Sequence, residues 1–308
     1  MVPRQYRPVG VVGEQEQGIA DIAAIPSSPS FWKHLLQRLL QGSVIVLPVL
    51  LLALLILYPL AAIILQSVFP NLFAASPNLI PSWSALQEVV QNSQNYLALF
   101  NSMWLAGITA LLSCIIGASL AILSRRTNMP LARFLDIPVW IVFFTPSFLI
   151  GEAWSLTLIR GGIPDQYLHF SDGFINWFFS PVGVVFILSL KSFPYVYFSV
   201  AAALRWLGSE FEDAARISGA RGWRAWLSIN APLLLPAILA AGLIAFAEAL
   251  SDFGTAATIA QNANVTLVTY QIYAAINTAP VDFGLAAALS LLLFIAIAVA
   301  LLVQAGIL

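Results

Sequence analysis

Long apolar runs separated by short polar segments dominate this chain, and their lengths set the first expectation. A helix needs about 20 apolar residues to cross a bilayer's hydrocarbon core. Residues 44–66, 103–123, 134–158, 181–204 and 284–304 each meet that length, and residues 232–250 form a slightly shorter sixth run without a positive charge. No alternation of period two competes with these runs, so a transmembrane β-barrel is not expected. The pattern predicts an all-α membrane protein with about six spanning helices. Prolines fall inside several runs, at Pro48, Pro59, Pro138, Pro146, Pro194 and Pro236. Each removes a backbone donor and tends to kink a helix.

Charge placement gives the runs a direction. Eleven of the 13 basic residues fall before the first run, between the second and third, or between the fourth and fifth. Arg125, Arg126 and Arg133 make up the middle group; Arg205, Arg216, Arg221 and Arg224 make up the last. Basic residues collect on the cytoplasmic side, so the N-terminus and both of these loops are expected there. Residues 1–40 read as a polar, disordered cytoplasmic tail, and residues 41–308 as the membrane domain.

Composition agrees. Hydrophobic residues make up 60% of the 308 and charged residues only 9%, against roughly 25% charged in soluble domains. The formal net charge of -1 suggests no nucleic-acid partner. A single cysteine, Cys114, excludes an internal disulfide framework, and no resident cofactor is expected. His34 and His169 lie far apart at span flanks, and most tryptophans sit near expected interfaces, as Trp32, Trp83, Trp104 and Trp177 do.

The most informative stretch is the connection at residues 209–236, SEFEDAARISGARGWRAWLSINAPLLLP. Ser209 and Glu212 have capping-box spacing. Phe211, Ala214, Ala215 and Ser218 follow at helical spacing as a small apolar face, and Gly219 suits the left-handed end of a helix. A second amphipathic turn with Trp223 and Trp226 leads to Pro232. A helix, a glycine corner and a second helix at a membrane face form a shape that docks in another protein's groove, or one that rests on lipid.

This stretch resembles the EAA loop of permease subunits of binding-protein-dependent ABC importers. That motif runs Glu-Ala-Ala, three residues, Gly, nine residues, Ile, one residue, Leu-Pro. Asp213, Ala214, Ala215, Gly219, Ile229 and Pro232 match its spacing, with Asp213 in place of Glu and Ala231 in place of Leu; Glu212 adds a neighbouring carboxylate. The resemblance covers roughly residues 99–304. It implies the type I importer permease arrangement, with a cytoplasmic coupling helix between spans four and five seated in a separate ATPase. The implied partners are an ATPase dimer, an extracytoplasmic binding protein, a second permease half and membrane lipid. The implied location is a bacterial inner membrane. The chain holds no G-x-x-x-x-G-K-[ST] phosphate loop and no H-E-x-x-H, so no catalytic residue is expected in it. A channel or scaffold acting alone is the rival class, and it would need no docking loop.

Charges inside spans are costly and mark function or pairing. Glu248 and Asp252 stand four apart, which places both on one helix face. Lys191 lies beside Pro194 and Tyr195, and Glu152 falls in the third run. Two readings stand at this point. Lys191 pairs with one carboxylate to steady the bundle, or Glu248, Asp252, Lys191, Tyr195 and Glu152 line a pathway on which oxygen donors pass a hard cation. The segments SFPYVYFSVAAAL, EALSDFGTAATIA and NVTLVTYQIY resemble ferric-iron permeases, in which two six-helix halves are often fused. That implies Fe3+ as cargo, with Glu248 and Asp252 as transient contacts, and this chain as the first half of a longer one. Thiamine, polyamine, phosphonate, sulfate and molybdate are the related alternatives. Residues 255–278 are expected outside, with Val265, Val268, Ile272, Ala275 and Ile276 as an apolar face on the membrane or under the binding protein.

Overall fold

The computed structural model describes residues 29–72, 77, 79–127, 132–207, 228 and 230–307. It divides into two units, Met1–Ala61 and Ala62–Leu308. The described part of the first unit is the greater part of helix α1 (Pro29–Val68). This helix starts inside the stretch expected as a disordered tail. The sequence FWKHLLQRLL explains why, since Phe31, Leu35, Leu36 and Leu39 recur at helical spacing.

The second unit holds the last turns of α1 and then α2 (Ser84–Gln91), α3 (Ser93–Arg126), α4 (Asp136–Phe144), α5 (Ser147–Leu158), α6 (Ile163–Leu168), α7 (Asp172–Phe178), α8 (Pro181–Trp206), α9 (Ala231–Ser251), a π-helical turn (Ala256–Ala260), α10 (Val268–Asn277) and α11 (Phe283–Ile307). No strand occurs among the described residues. Five helices are long and apolar enough to cross a membrane, and α4 with α5 makes a sixth if the bent pair counts as one span.

The centre of the unit is the packing of α3, α8 and α9. Ala98, Ser102, Ala106, Thr109, Ser113, Gly117 and Ala121 are buried along one face of α3 at three- and four-residue spacing. Small residues let membrane helices approach closely. Gly117 is the tightest point: a Cβ there would stand 2.6 Å from the Phe193 carbonyl oxygen and 2.7 Å from the Val196 Cβ of α8. Some buried hydroxyls satisfy themselves on carbonyls, as Ser189 Oγ does on Val185 O at 2.7 Å, whereas Thr109 Oγ1 has no partner among the described residues. Cys114 donates to Ile238 O at 3.7 Å and joins this packing.

The third expected span is not one straight helix. It breaks between α4 and α5 with a bend of 102°. The residue before a proline is pushed out of the helical region, and Thr145, before Pro146, is extended with ψ 125°. Its amide and hydroxyl close off α4 by donating to Ile141 O at 3.0 and 2.6 Å. The first turn of α5 then lies against Gly254, where a side chain would collide with the Phe148 amide nitrogen and the Ser147 hydroxyl.

The segment expected as an exposed apolar face is instead part of the core. Val265 packs in the cluster of Leu105, Leu158, Phe178 and Ile259. Val268 is buried with Ala106, Leu250 and Leu289, with Ile272 against them, and Ala275 is buried too. Only Ile276 of the five is exposed. The periodicity is real, but a helix with one apolar face gains more by covering bundle helices than by resting on lipid.

Candidate functional site

The sequence-level candidates divide into the docking motif and the charges within spans. Of the motif, Glu212, Asp213, Ala214, Ala215, Gly219 and Ile229 lie outside the described residues. Pro232 is described and occupies the first turn of α9, where a proline's missing N–H is no loss.

Both segments that lead into the motif are anchored. Arg126, the last residue of α3, donates through its guanidinium to Leu204 O at 3.4 Å and to Leu207 O at 2.5 Å. These are end carbonyls of α8, which no helical amide satisfies. On the far side, Asn230 is buried ahead of α9.

Beside this clamp lies a network that sequence reading missed. Arg125 reaches Asp136 at the start of α4 with contacts of 2.7 and 2.8 Å to the two carboxylate oxygens. The Tyr197 hydroxyl of α8 donates to Asp136 at 2.6 Å, and Ser124 Oγ lies 3.2 Å from that hydroxyl. Three helices meet in this polar knot. Its members stand up to 73 positions apart, so no local spacing gave it away. Arg125 was legible only as one more basic residue at a helix end.

Deep in the bundle, Lys191 Nζ lies 3.5 Å from Glu248 Oε1, joining α8 to α9. The lysine side chain is 7% exposed and the carboxylate 36%. The Tyr195 ring stands 5.6 Å from the ammonium. The ion pair expected between Lys191 and one carboxylate is therefore present, and Glu248 is the partner. Asp252 follows the end of α9 and plays a different part. Its carboxylate accepts from the Thr255 amide at 2.7 Å, and its carbonyl accepts from Thr269 Oγ1 at 2.9 Å. It starts the turn that leads into the π-helical segment. Glu152, on α5, is half-buried and makes no hydrogen bond or ion pair to a described residue. The structure thus joins Lys191, Glu248 and Tyr195 and gives Asp252 a separate structural role. No group of three or more His, Cys, Asp or Glu suited to a metal occurs among the described residues.

Two cavities lie toward opposite ends of α3, which at 34 residues is about 50 Å long. One, of about 680 Å³, is polar and includes Glu88, Asn95, Gln271 and Asp282 in its lining. The other, of about 160 Å³, is walled by Arg125, Asp136, Trp140, Phe198 and Arg205.

Comparison with known proteins bears on these features. Residues 113–307 match the family described as binding-protein-dependent transport system inner membrane component. The molybdenum transport system permease protein ModB of Mycobacterium tuberculosis is 30% identical over 223 residues, covering 71% of this chain and 82% of that one. The sulfate transport system permease protein CysT of Escherichia coli is 26% identical over 228 residues, 73% of this chain and 78% of that one. A putative ferric transport system permease protein, FbpB 1 of Haemophilus influenzae, is 24% identical over 264 residues, 84% of this chain but 40% of its own length. Among solved structures, a bacterial ABC transporter that imports the polysaccharide alginate superposes with a TM-score of 0.70 at 16% identity, covering 90% of this chain and 98% of that one. That likeness is one of fold.

Proposed function

The chain belongs to the family of binding-protein-dependent transport system inner membrane components and is a multi-pass permease subunit of an ABC importer; from that premise we propose that its cargo is a small tetrahedral oxyanion of the molybdate or sulfate kind. Two such permeases are similar to this chain over more than three quarters of their own lengths. This breadth of similarity carries the proposal. The polar pair in the bundle supports it. Neither Glu248 nor Asp252 is a bare carboxylate awaiting a cation, since one faces Lys191 and the other caps a turn.

In this reading an extracytoplasmic binding protein delivers the ion and a separate ATPase dimer supplies the force. The residues 212–232 form the seat on the ATPase, and the C-terminal ends of α3 and α8 lie in the cytoplasmic half of the membrane. A second permease half completes the pathway. Lys191, Glu248 and Tyr195 are its polar station, where a partly exposed Glu248 stands before a buried cation. Ferric iron is the second reading, because the ferric relative matches 84% of this chain and Glu248 is the more open member of the pair.

Uptake of labelled molybdate, sulfate and ferric iron by cells carrying the complete transporter separates the two. The oxyanion reading expects Lys191→Met to lower uptake at least ten-fold and Glu248→Gln to lower it less, about the effect of losing one charge-assisted contact. Iron uptake that collapses in Glu248→Gln, with molybdate and sulfate ignored by the parent, would overturn the oxyanion assignment in favour of iron.

A further inference from the structure

The small cavity near the C-terminal end of α3 has a composition that the transport pathway does not use. Its polar wall is Arg125, Asp136 and Arg205, two positive charges against one negative. Asp136 is occupied by Arg125 and Tyr197. Arg205 is exposed and makes no salt-bridge contact with a described carboxylate, although its charge also acts on Asp136 across the cavity. Arg125 spends one terminal nitrogen on Asp136, and its Nε–H is buried without a partner among the described residues. The wall therefore presents surplus positive charge to an anion.

The rest of the cavity is apolar and directional. Ala201 and Ala202 of α8 help line it, and their short side chains leave room for a group between the helices. Trp140 and Phe198 form a wall, with ring centroids 4.2 Å apart. From there an apolar stripe runs along α4: Ile137, Trp140, Ile141 and Phe144 stand at i, i+3, i+4 and i+7 and are all exposed, Phe144 by 74%. A water-soluble anion needs the arginines and has no use for the stripe. An amphiphile with a phosphate at one end and hydrocarbon at the other matches both.

We propose that this cleft binds an anionic phospholipid, with the headgroup phosphate on Arg205 and Arg125 and an acyl chain along Ile137, Ile141 and Phe144. Basic clefts at the cytoplasmic ends of spanning helices select anionic headgroups in this way. Trp140 suits the boundary, since indole favours the headgroup level. The lipid would bridge α3, α4 and α8 beside the knot that joins them.

Native mass spectrometry of the purified full-length chain, titrated with phosphatidylglycerol or phosphatidylcholine of equal chain length, tests the assignment. The expected result is a preference for phosphatidylglycerol of about five-fold, the worth of one basic side chain at an anionic surface. Arg205→Gln should remove that preference, Arg205→Lys should keep most of it, and Arg160→Gln, remote in sequence on the short connection between α5 and α6, should leave it intact. Because Arg205 is exposed, its variants keep the fold, which a melting curve verifies. Equal retention of the two lipids by the parent chain overturns the proposal, as does an unchanged preference in Arg205→Gln or an equal loss in Arg160→Gln. Excess inorganic phosphate that displaces phosphatidylglycerol would identify a soluble-anion site and overturn the lipid assignment as well. None of these readouts depends on transport, so they stand apart from the cargo test.

Discussion

Pro146 and Pro194 lie in apolar runs of similar length, yet one breaks its helix and the other does not. α8 continues through Pro194 over 26 residues, whereas the run containing Pro146 bends by 102°. The difference lies in what surrounds each ring. Pro194 is buried in a helix pressed against α3 and α9, with Phe193, Val196 and Tyr197 in one packed cluster. Straightening is enforced there by neighbours on several sides. Pro146 follows a threonine whose hydroxyl takes over a carbonyl of α4, and the helix that restarts beyond it finds a seat at Gly254. A proline permits a break, and the packing around it decides whether the break occurs.

The seat is the place to attack first. Gly254→Val puts a side chain where the backbone of α5 lies, and overpacking of that kind costs about 3 kcal/mol. A clear fall in melting temperature of the purified protein is expected; a variant that melts with its parent would show that the bend has another cause. Next in size is the proline contrast. Pro146→Ala should leave the chain folded but cut transport several-fold as the break loses its constraint, whereas Pro194→Ala should shift stability by less than about 1 kcal/mol and transport normally. Uptake and melting curves read both, and equal effects at the two sites would erase the distinction. The smallest change is expected at Asp136→Asn, which weakens the tie between α3 and the first half of the broken span. The pair is partly solvated, so the loss should be about 1 kcal/mol, visible as a modest shift in melting temperature.

The spans were legible in the sequence because a membrane-crossing helix must be apolar along its whole length, whereas the small-residue face of α3 emerged only from its burial. The break was not legible, because Pro146 and Pro194 look alike until Gly254 is brought beside one of them. Residues 255–278 showed the right period and the wrong destination: periodicity marks a face without saying what covers it. Glu248 and Asp252 were visible as a pair at helical spacing, but α9 stops at Ser251, which leaves the second carboxylate to cap a turn. The Arg125, Asp136 and Tyr197 knot was out of reach for the opposite reason, since Tyr197 stands 61 positions beyond Asp136 on another helix. The docking motif was the clearest local signal, and it rested on spacing that needs no knowledge of packing.

Arg126 has a mechanical consequence. Because it grips the carbonyls at the exit of α8, any tug on the chain just past Leu207 is shared between two helices at once. A load applied there would reach α3 and α8 together, as through a fork, and the Arg126 contacts would hold the last helical turn against unravelling.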